Sequence, residues 1–369
     1  MVKSITTLAL LLNLSLWPVI MLAQQRSVRI GIDGLSHDHI HGLLKNHKER
    51  NDIQIVGIAE SNKEKAHALA DRYGFDMGIV YDDLATMIGE TRPEGVVAFN
   101  SIYDHLSTVE ICAPKGIHVM VEKPLAVNAE HADKMAGLAR KHHILLLTNY
   151  ETSWYPTHYK LFEMAIEKKE IGEINKVMIN DGHKGPVEIG CSPEFLAWLT
   201  DPVLNGGGAV VDFGCYGANL MTWIMQNEEP ETVTAVLQTV KPDVYPKVDD
   251  QATIILTYPH AQAVIQGSWN WPIDRKDISV YGKEGYVTAH NAHDLEYRLT
   301  RKVPRQEIKV DGFPMAAKDP FSYFAKVIRE ELKVEKTDLS SLENNLIVVK
   351  ILDAARQSAA EEKTILFKK

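Results

Sequence analysis

Between residues 27 and 149 the chain alternates short apolar runs with amphipathic stretches, and this alternation limits the folds open to it. Ser27–Asp33 (SVRIGID), Asp52–Ala59 (DIQIVGIA), Ile79–Tyr81, Gly95–Phe99 (GVVAF), Val119–Glu122 and Ile144–Asn149 read as buried strands. The segments between them, His37–Lys48, Asn62–Tyr73, Asp83–Gly89, His105–Lys115 and Ala129–His142, read as helices. In the second of these, Ala66, Leu69 and Ala70 share one face, and Gly74 supplies a stop. Strands and helices in strict alternation imply right-handed βαβ units, hence a parallel sheet covered on both faces. Ligands of such sheets lie beyond the carboxyl ends of the strands, so the residues that follow each strand are the ones to weigh.

Past residue 150 the pattern changes. Lys176–Asn180, Glu231–Val240, Gln251–Tyr258, Ala263–Trp269, Asp277–Tyr281 and Gly285–His290 read as strands separated by turn residues. Helices are expected at Thr157–Lys168, Pro193–Leu199 and Gly217–Gln226, and a last one over about Leu342–Ala360 has Leu346, Val349 and Leu352 on its inner row. The class is therefore α/β. An N-terminal Rossmann, doubly wound parallel sheet (24–149) precedes a C-terminal α+β domain (150–369) with an open, mostly antiparallel sheet. The last helix is free to pack back on the first domain.

Residues 1–23 stand apart. Lys3 precedes an apolar run that ends at Leu22, and Ala23 precedes the polar Gln24–Gln25–Arg26. This reads as a signal peptide cleaved after Ala23, which puts the mature chain in the periplasm or outside the cell. Asn13, Ser15 and Pro18 interrupt the run, so no stable membrane insertion is expected after cleavage. Three cysteines, Cys112, Cys191 and Cys215, make neither a disulfide framework nor a zinc motif, and a Cys191–Cys215 pair stays open. A net charge of −9 argues against a nucleic-acid partner, which would ask for a basic stripe.

The first strand-turn-helix is where a G-x-G-x-x-G dinucleotide fingerprint would stand, and the chain has Gly34-Leu35-Ser36-His37-Asp38-His39. Only the first glycine is kept. Ser36 stands where the backbone approaches the pyrophosphate and is a candidate helix cap; His39 stands where helix and strand pack. Glu60 follows the second strand, where a carboxylate binds ribose hydroxyls and repels a 2′-phosphate, favouring NAD over NADP. His37 and His41 are four apart, as on one helix face, but no matched ligands accompany them and no metal is expected. His37 and His39 are read instead as lining the cofactor or substrate mouth.

Later motifs are more specific. They are Asn100-x4-His105 after the fourth strand, Glu122-Lys123-Pro124, Asn205-Gly-Gly-Gly-Ala-Val-Val-Asp212-Phe-Gly-Cys-Tyr216, Asp249-Asp250-Gln251-Ala252, and Ser341-Leu-Glu-Asn-Asn345. In this order and spacing the chain resembles the glucose–fructose oxidoreductase / inositol dehydrogenase / rhizopine-catabolism (Gfo/Idh/MocA) family over nearly all of its length after the signal. The resemblance implies NAD as cofactor and places Lys123 near the nicotinamide and substrate. It implies cofactor contacts for Glu122, Lys123, Asn100 and His105, beside Gly34, Ser36, His37, His39 and Glu60. Many relatives carry D-x-x-x-H where this chain has Asp212 and Tyr216, four apart on one helix face. Tyr216 as acid/base, its pKa lowered by Lys123, and Lys123 as proton relay, its pKa lowered by burial, are both open, as is Tyr216 as a packed aromatic. His183 and Lys184, after the first strand of the second domain, and Trp269, Trp271 and Arg275 are the substrate-binding candidates.

The expected activity is oxidation of a secondary hydroxyl on a sugar or glycoside, with NAD tightly held and recycled because free NAD is scarce outside the cytoplasm. Two alternatives stand beside it: a redox-neutral NAD-dependent glycosidase, and a non-catalytic sugar-binding protein on the same scaffold. The resemblance also implies a homo-oligomer.

Overall fold

In the computed structural model, which describes residues 26–312 and 317–367, the alternating half forms a six-stranded, wholly parallel sheet. The expected signal segment lies outside the described residues. Chain order runs β1 (Val28–Asp33), α1 (Ile40–Asn46), β2 (Ile53–Ala59), α2 (Lys63–Tyr73), β3 (Val80–Tyr81), α3 (Leu84–Thr91), β4 (Gly95–Ala98), α4 (His105–Cys112), β5 (His118–Glu122), α5 (Ala129–His142) and β6 (Leu146–Asn149). The strands stand in the order β3-β2-β1-β4-β5-β6, so the direction of winding reverses between β1 and β4. Local signals set the helix ends: the Asn62 side chain accepts from Lys65 N–H to open α2, and Gly74, at φ 72°, closes it.

The second half continues with α6 (Pro156–Phe162), β7 (Ile174–Gly182), α7 (Pro193–Leu199), α8 (Ala209–Asp212), α9 (Gly214–Ile224), β8 (Thr232–Gln238), β9 (Gln251–Thr257), β10 (Gln262–Ser268), β11 (Arg275–Gly282), β12 (Tyr286–Ala289), β13 (Asp294–Arg298), β14 (Gln306–Lys309), α10 (Pro320–Ile328), α11 (Leu342–Glu361) and β15 (Ile365–Leu366). Its nine-stranded sheet, β14-β13-β12-β11-β7-β10-β9-β8-β15, is antiparallel except between β7 and β10. α9 lies on one face, every residue of it buried.

Two late helices return to the first sheet. Phe321, Phe324 and Val327 of α10 join the core of β1 and β2. α11 divides its faces: Val349 packs in the core of α4 and α5, while Val348, Ile351 and Leu352 pack under the second sheet. Asp353 of α11 accepts from Ala129 N–H at 2.7 Å, fixing the start of α5. Among the described residues no helix is long and apolar enough to cross a membrane.

Candidate active site

The carboxyl ends of β1, β4, β5 and β6 meet α8, α9 and the ends of β7, β10 and β11, and the polar residues singled out above gather there. Asp249 builds the scaffold. Its carboxylate accepts from Gly208 N–H (2.9 Å) and Val210 N–H (2.7 Å) and its carbonyl from Ala209 N–H (2.9 Å), which holds the start of α8. α8 then ends at Asp212, and the chain breaks at Phe213 before α9 begins. Asp212 and Tyr216 therefore do not share one uninterrupted helix, contrary to the reading of their spacing. The break has a use. Tyr216 N–H bonds Phe213 O (3.2 Å), so the Asp212 carbonyl accepts from Lys123 Nζ at 3.0 Å and from Cys215 Sγ at 3.3 Å.

Lys123, at the cis Lys123–Pro124 bond beyond β5, also pairs with Asp212 Oδ1, and Trp269 Nε1 donates to Oδ2 at 2.8 Å. Both side chains of the pair are 6% exposed. Burial alone would depress the lysine and raise the aspartate, but each is outweighed by its partner. Lys123 is held above its ordinary 10.5 and Asp212 below its ordinary 3.8. The expectation that burial lowers the Lys123 pKa is thus reversed. Tyr216 is corrected likewise: burial pushes its phenol well above 10.0, although Lys123 Nζ stands 5.1 Å and Lys276 Nζ 5.2 Å from its ring centroid. Asp212 thus holds Lys123 in its cationic form.

A second polar layer lies below. His39 Nδ1 meets Glu122 Oε2 at 2.8 Å, and Asn149 Nδ2 donates to Glu122 Oε1 at 2.8 Å. Burial opposes ionisation of Glu122, but His39 and Asn149 outweigh it and hold the carboxylate below its ordinary 4.5. His37 is buried against Phe195 and Trp198, and burial holds its pKa well below 6.5. His37, His39 and Glu122 bring ligand atoms within 4.8 Å of one another. However, His37 Nδ1 already accepts from His39 N–H at 3.2 Å, so the neutral ring carries its proton on Nε2 and offers a metal no lone pair. His41 turns away to Tyr73 Oη (2.9 Å), and α1 begins only at Ile40, so His37 and His41 share no helix face.

The turn after β1 fits a dinucleotide. Gly34 adopts φ 79° and packs against Asn100; Ser36 and Asp38 N–H meet no acceptor among the described residues. Glu60 accepts from Leu35 N–H (2.9 Å) and Asn62 N–H (2.8 Å), which fixes a half-buried carboxylate at the end of β2. Asn100 donates to Asp33 and Thr108 (both 3.1 Å), leaving its buried Oδ1 without a partner. Ser36 does not cap α1: the N-cap is His39, with no side-chain bond, and Ser36 Oγ instead faces Phe99 O at 3.5 Å. His105 is wholly buried with Nδ1 at 3.1 Å from Leu125 O, so it braces the turn that carries Lys123.

The substrate candidates divide. His183 is half-buried, edge-on to Phe213, with Nδ1 accepting from Gly185 N–H at 2.9 Å. Lys184 is exposed. Trp269 is not a wall residue: it is wholly buried behind Asp212. Arg275 pairs with Asp277 (2.8 Å) and lies 4.4 Å over the Trp271 ring. The three cysteines are free.

The sequence reading missed Asp33, Glu151, Asp181 and Lys276. Glu151, directly after β6, was open to the rule that residues following strands matter; it pairs with Lys276 and accepts from Tyr155 Oη (2.6 Å). Asp33, the last residue of β1, accepts from Thr108 (2.5 Å) and Asn100, yet burial dominates and raises it from 3.8 to about 6. A raised acid favours the folded state while protonated, and that contribution is lost as pH rises from about 4 through about 6. Asp33→Asn, which cannot ionise, is therefore expected to gain on the wild type by about 2 kcal/mol between pH 4.5 and 7.5. Urea unfolding at the two pH values measures this, and an unchanged difference would contradict it.

Fold and site together define a two-domain, dinucleotide-dependent oxidoreductase. The description "Oxidoreductase family, NAD-binding Rossmann fold" matches residues 26–150, and "GFO/IDH/MocA C-terminal domain" matches residues 159–288. The chain belongs to the Gfo/Idh/MocA family. It is 26% identical over 318 residues to trans-1,2-dihydrobenzene-1,2-diol dehydrogenase of Xenopus tropicalis, covering 83% of this chain and 90% of that one. It is 24% identical over 278 residues to myo-inositol 2-dehydrogenase of Thermotoga maritima, covering 74% and 78%. Among solved structures, aldose-aldose oxidoreductase from Caulobacter crescentus shares the fold at a TM-score of 0.76 and 20% identity, covering 92% of this chain and all of that one.

Proposed function

We propose that the protein oxidises a secondary hydroxyl of a sugar or glycoside and keeps its NAD bound and recycled through successive turnovers. The observation that carries this reading is the buried Lys123–Asp212 pair set over the Tyr216 ring at the carboxyl end of β5. Bound NAD supplies the two-electron acceptor. Glu60 would hold the adenosine ribose and disfavour a 2′-phosphate, and the Ser36 and Asp38 N–H groups would receive phosphate oxygens. Lys123, locked by Asp212 and Trp269, orients the hydroxyl oxygen and stabilises negative charge as it develops there. Tyr216, whose phenol burial keeps protonated, receives the hydroxyl proton only as it passes its own to a neighbouring carboxylate, and the reverse reaction returns both. Burial keeps His183 below its ordinary 6.5, hence neutral; with Nδ1 occupied, its Nε2–H donates to the substrate.

Residues 1–23 are proposed as a cleaved export signal, and recycling answers the scarcity of free cofactor beyond the cytoplasm. The test mixes NAD-loaded protein with a panel of sugars and glycosides and follows nicotinamide absorbance. At least one should reduce the bound cofactor, and a second sugar or keto-sugar should reoxidise it. No change with any member of the panel contradicts the proposal, and net glycoside hydrolysis without net redox change would move the assignment to a glycosidase.

A further inference from the structure

The inward row of β7 runs Val177, Ile179, Asp181. The first two are core. The third is a carboxyl, 1% exposed, neither of whose oxygens has a hydrogen-bond partner. Such groups are rare in folded proteins, and an ionised one is strongly disfavoured. Burial outweighs the ammonium groups of Lys276 and Lys123 and holds Asp181 well above its ordinary 3.8, which favours its protonated form.

The neighbours of Asp181 are the reacting groups. On β10 it pairs with Gly267, where a side chain would lie 2.7 Å from Gly214 N and 3.1 Å from the Phe213 carbonyl carbon. The junction of α8 and α9, which carries Asp212 and Tyr216, is therefore pressed onto the sheet beside Asp181. On β11 its partner is Lys276, so both side chains leave the same face of the sheet. Lys276 stands 5.2 Å from the Tyr216 ring centroid and pairs with Glu151. The charged groups that act on Asp181 are Lys276 and Asp277 of β11, Glu151 after β6 and Lys123 after β5, and its own charge reaches Tyr155 after β6 and Cys215 of α9.

We propose that Asp181 is the residue on which the substrate's hydroxyl proton comes to rest, and that Lys276 exchanges Glu151 for Asp181 when that carboxyl ionises. The inference rests on the sugar-oxidising reading above. Asp181 would ionise more readily beside the positive charge that NAD⁺ would bring when bound. In the oxidative half the substrate C–H bond breaks and its electron pair reduces NAD⁺. The O–H proton passes to the Tyr216 oxygen as the Tyr216 proton passes to the Asp181 carboxylate. Carbonyl product, NADH and the Asp181 carboxylic acid form together. The reductive half reverses each transfer, so neither hydride nor proton need leave the site.

Asp181→Asn, nearly isosteric with the protonated acid, is the variant that tests this. Infrared difference spectra of wild type against variant, taken on nucleotide-stripped protein at pH 7, should show a carboxylic-acid C=O band that is lost in the variant and shifts in heavy water. With a pH-indicator dye, wild type should release well under one proton per NADH formed and the variant one. The variant's kcat should fall on the order of 10²-fold with KM unchanged. Absence of the infrared band overturns the inference whether or not a sugar is oxidised, and so does equal proton release by the two proteins. A band present in protein whose nicotinamide no sugar reduces overturns the proposed function instead, and with it the proton's role in turnover.

Discussion

Lys123→Met is expected to lower kcat by 10²–10⁴-fold, on the order of what a positioned acid–base or electrostatic group contributes, with substrate affinity changed far less. Methionine keeps the apolar stem of the side chain and removes only the ammonium. The effect extends beyond chemistry, because Asp212 would then be a buried carboxylate held only by Trp269 Nε1. Removing one member of a buried ion pair costs about 3–5 kcal/mol. The pH dependence has a defined sign. In wild type Asp212 is depressed, so its contribution is present above its ordinary 3.8 and lost in acid. Without Lys123 the burial of Asp212 is unopposed, its pKa is raised, and stability falls as pH rises through the new value. The stability gap to wild type should thus be wider at pH 8 than at pH 5. Adding Asp212→Asn should recover stability but not activity, since the amide needs no counter-charge yet restores no cation. Turnover followed by nicotinamide absorbance and urea unfolding at both pH values measure these effects. Activity within tenfold of wild type would show that Lys123 has no part in the reaction.

Gly34→Ala is expected to abolish dinucleotide binding and to cost about 2–5 kcal/mol of stability. Two effects add. The residue sits at φ 79°, where an L side chain costs about 1–2 kcal/mol. Its Cβ would also lie 2.9 Å from Asn100 Cβ and 3.1 Å from Asn100 Cα, and relieving such overlap costs about 1–3 kcal/mol. Because these contacts are with the backbone and first side-chain carbon of Asn100, no rotamer change removes them. Relief must separate the end of β1 from the segment after β4, where the dinucleotide turn is built. Thermal unfolding and fluorescence titration with NADH report the two effects. A variant that binds NADH as wild type does would show that this turn does not hold the cofactor.

What the sequence made legible follows from which interactions are local. The parallel sheet could be read because each strand is a continuous apolar run and each helix carries its own cap, as Asn62 does for α2. Lys123 and Asp212 could be placed because they stand in the motifs Glu122-Lys123-Pro124 and Asn205–Tyr216 that carry the resemblance to the family. Their partners could not. Trp269 reads equally as a sugar platform or as core, and only the register of β9 with β10, with Asp250 O accepting from Trp269 N–H at 2.9 Å, sets it behind Asp212. The break at Phe213 has no local marker; it depends on Asp249, 36 residues further on, gripping the start of α8 and on the sheet pressing at Gly267. β13 and β14, with sequences DLEYR and QEIK, are too polar for a periodicity argument and exist because β12 offers an edge. The return of α10 to the first sheet is a tertiary choice made by Phe321 and Phe324. Asp181 was not weighed because the strand was read as ending at Asn180, whereas β7 runs on to Gly182 and turns Asp181 inward beside Lys276.

The most direct test of the central claim is to purify the protein without added nucleotide, denature it, and identify by mass spectrometry and absorbance what is released. The account predicts NAD or NADH in near-stoichiometric amount, free of NADP because of Glu60. Protein that releases no dinucleotide and takes up none when NAD is added would contradict it.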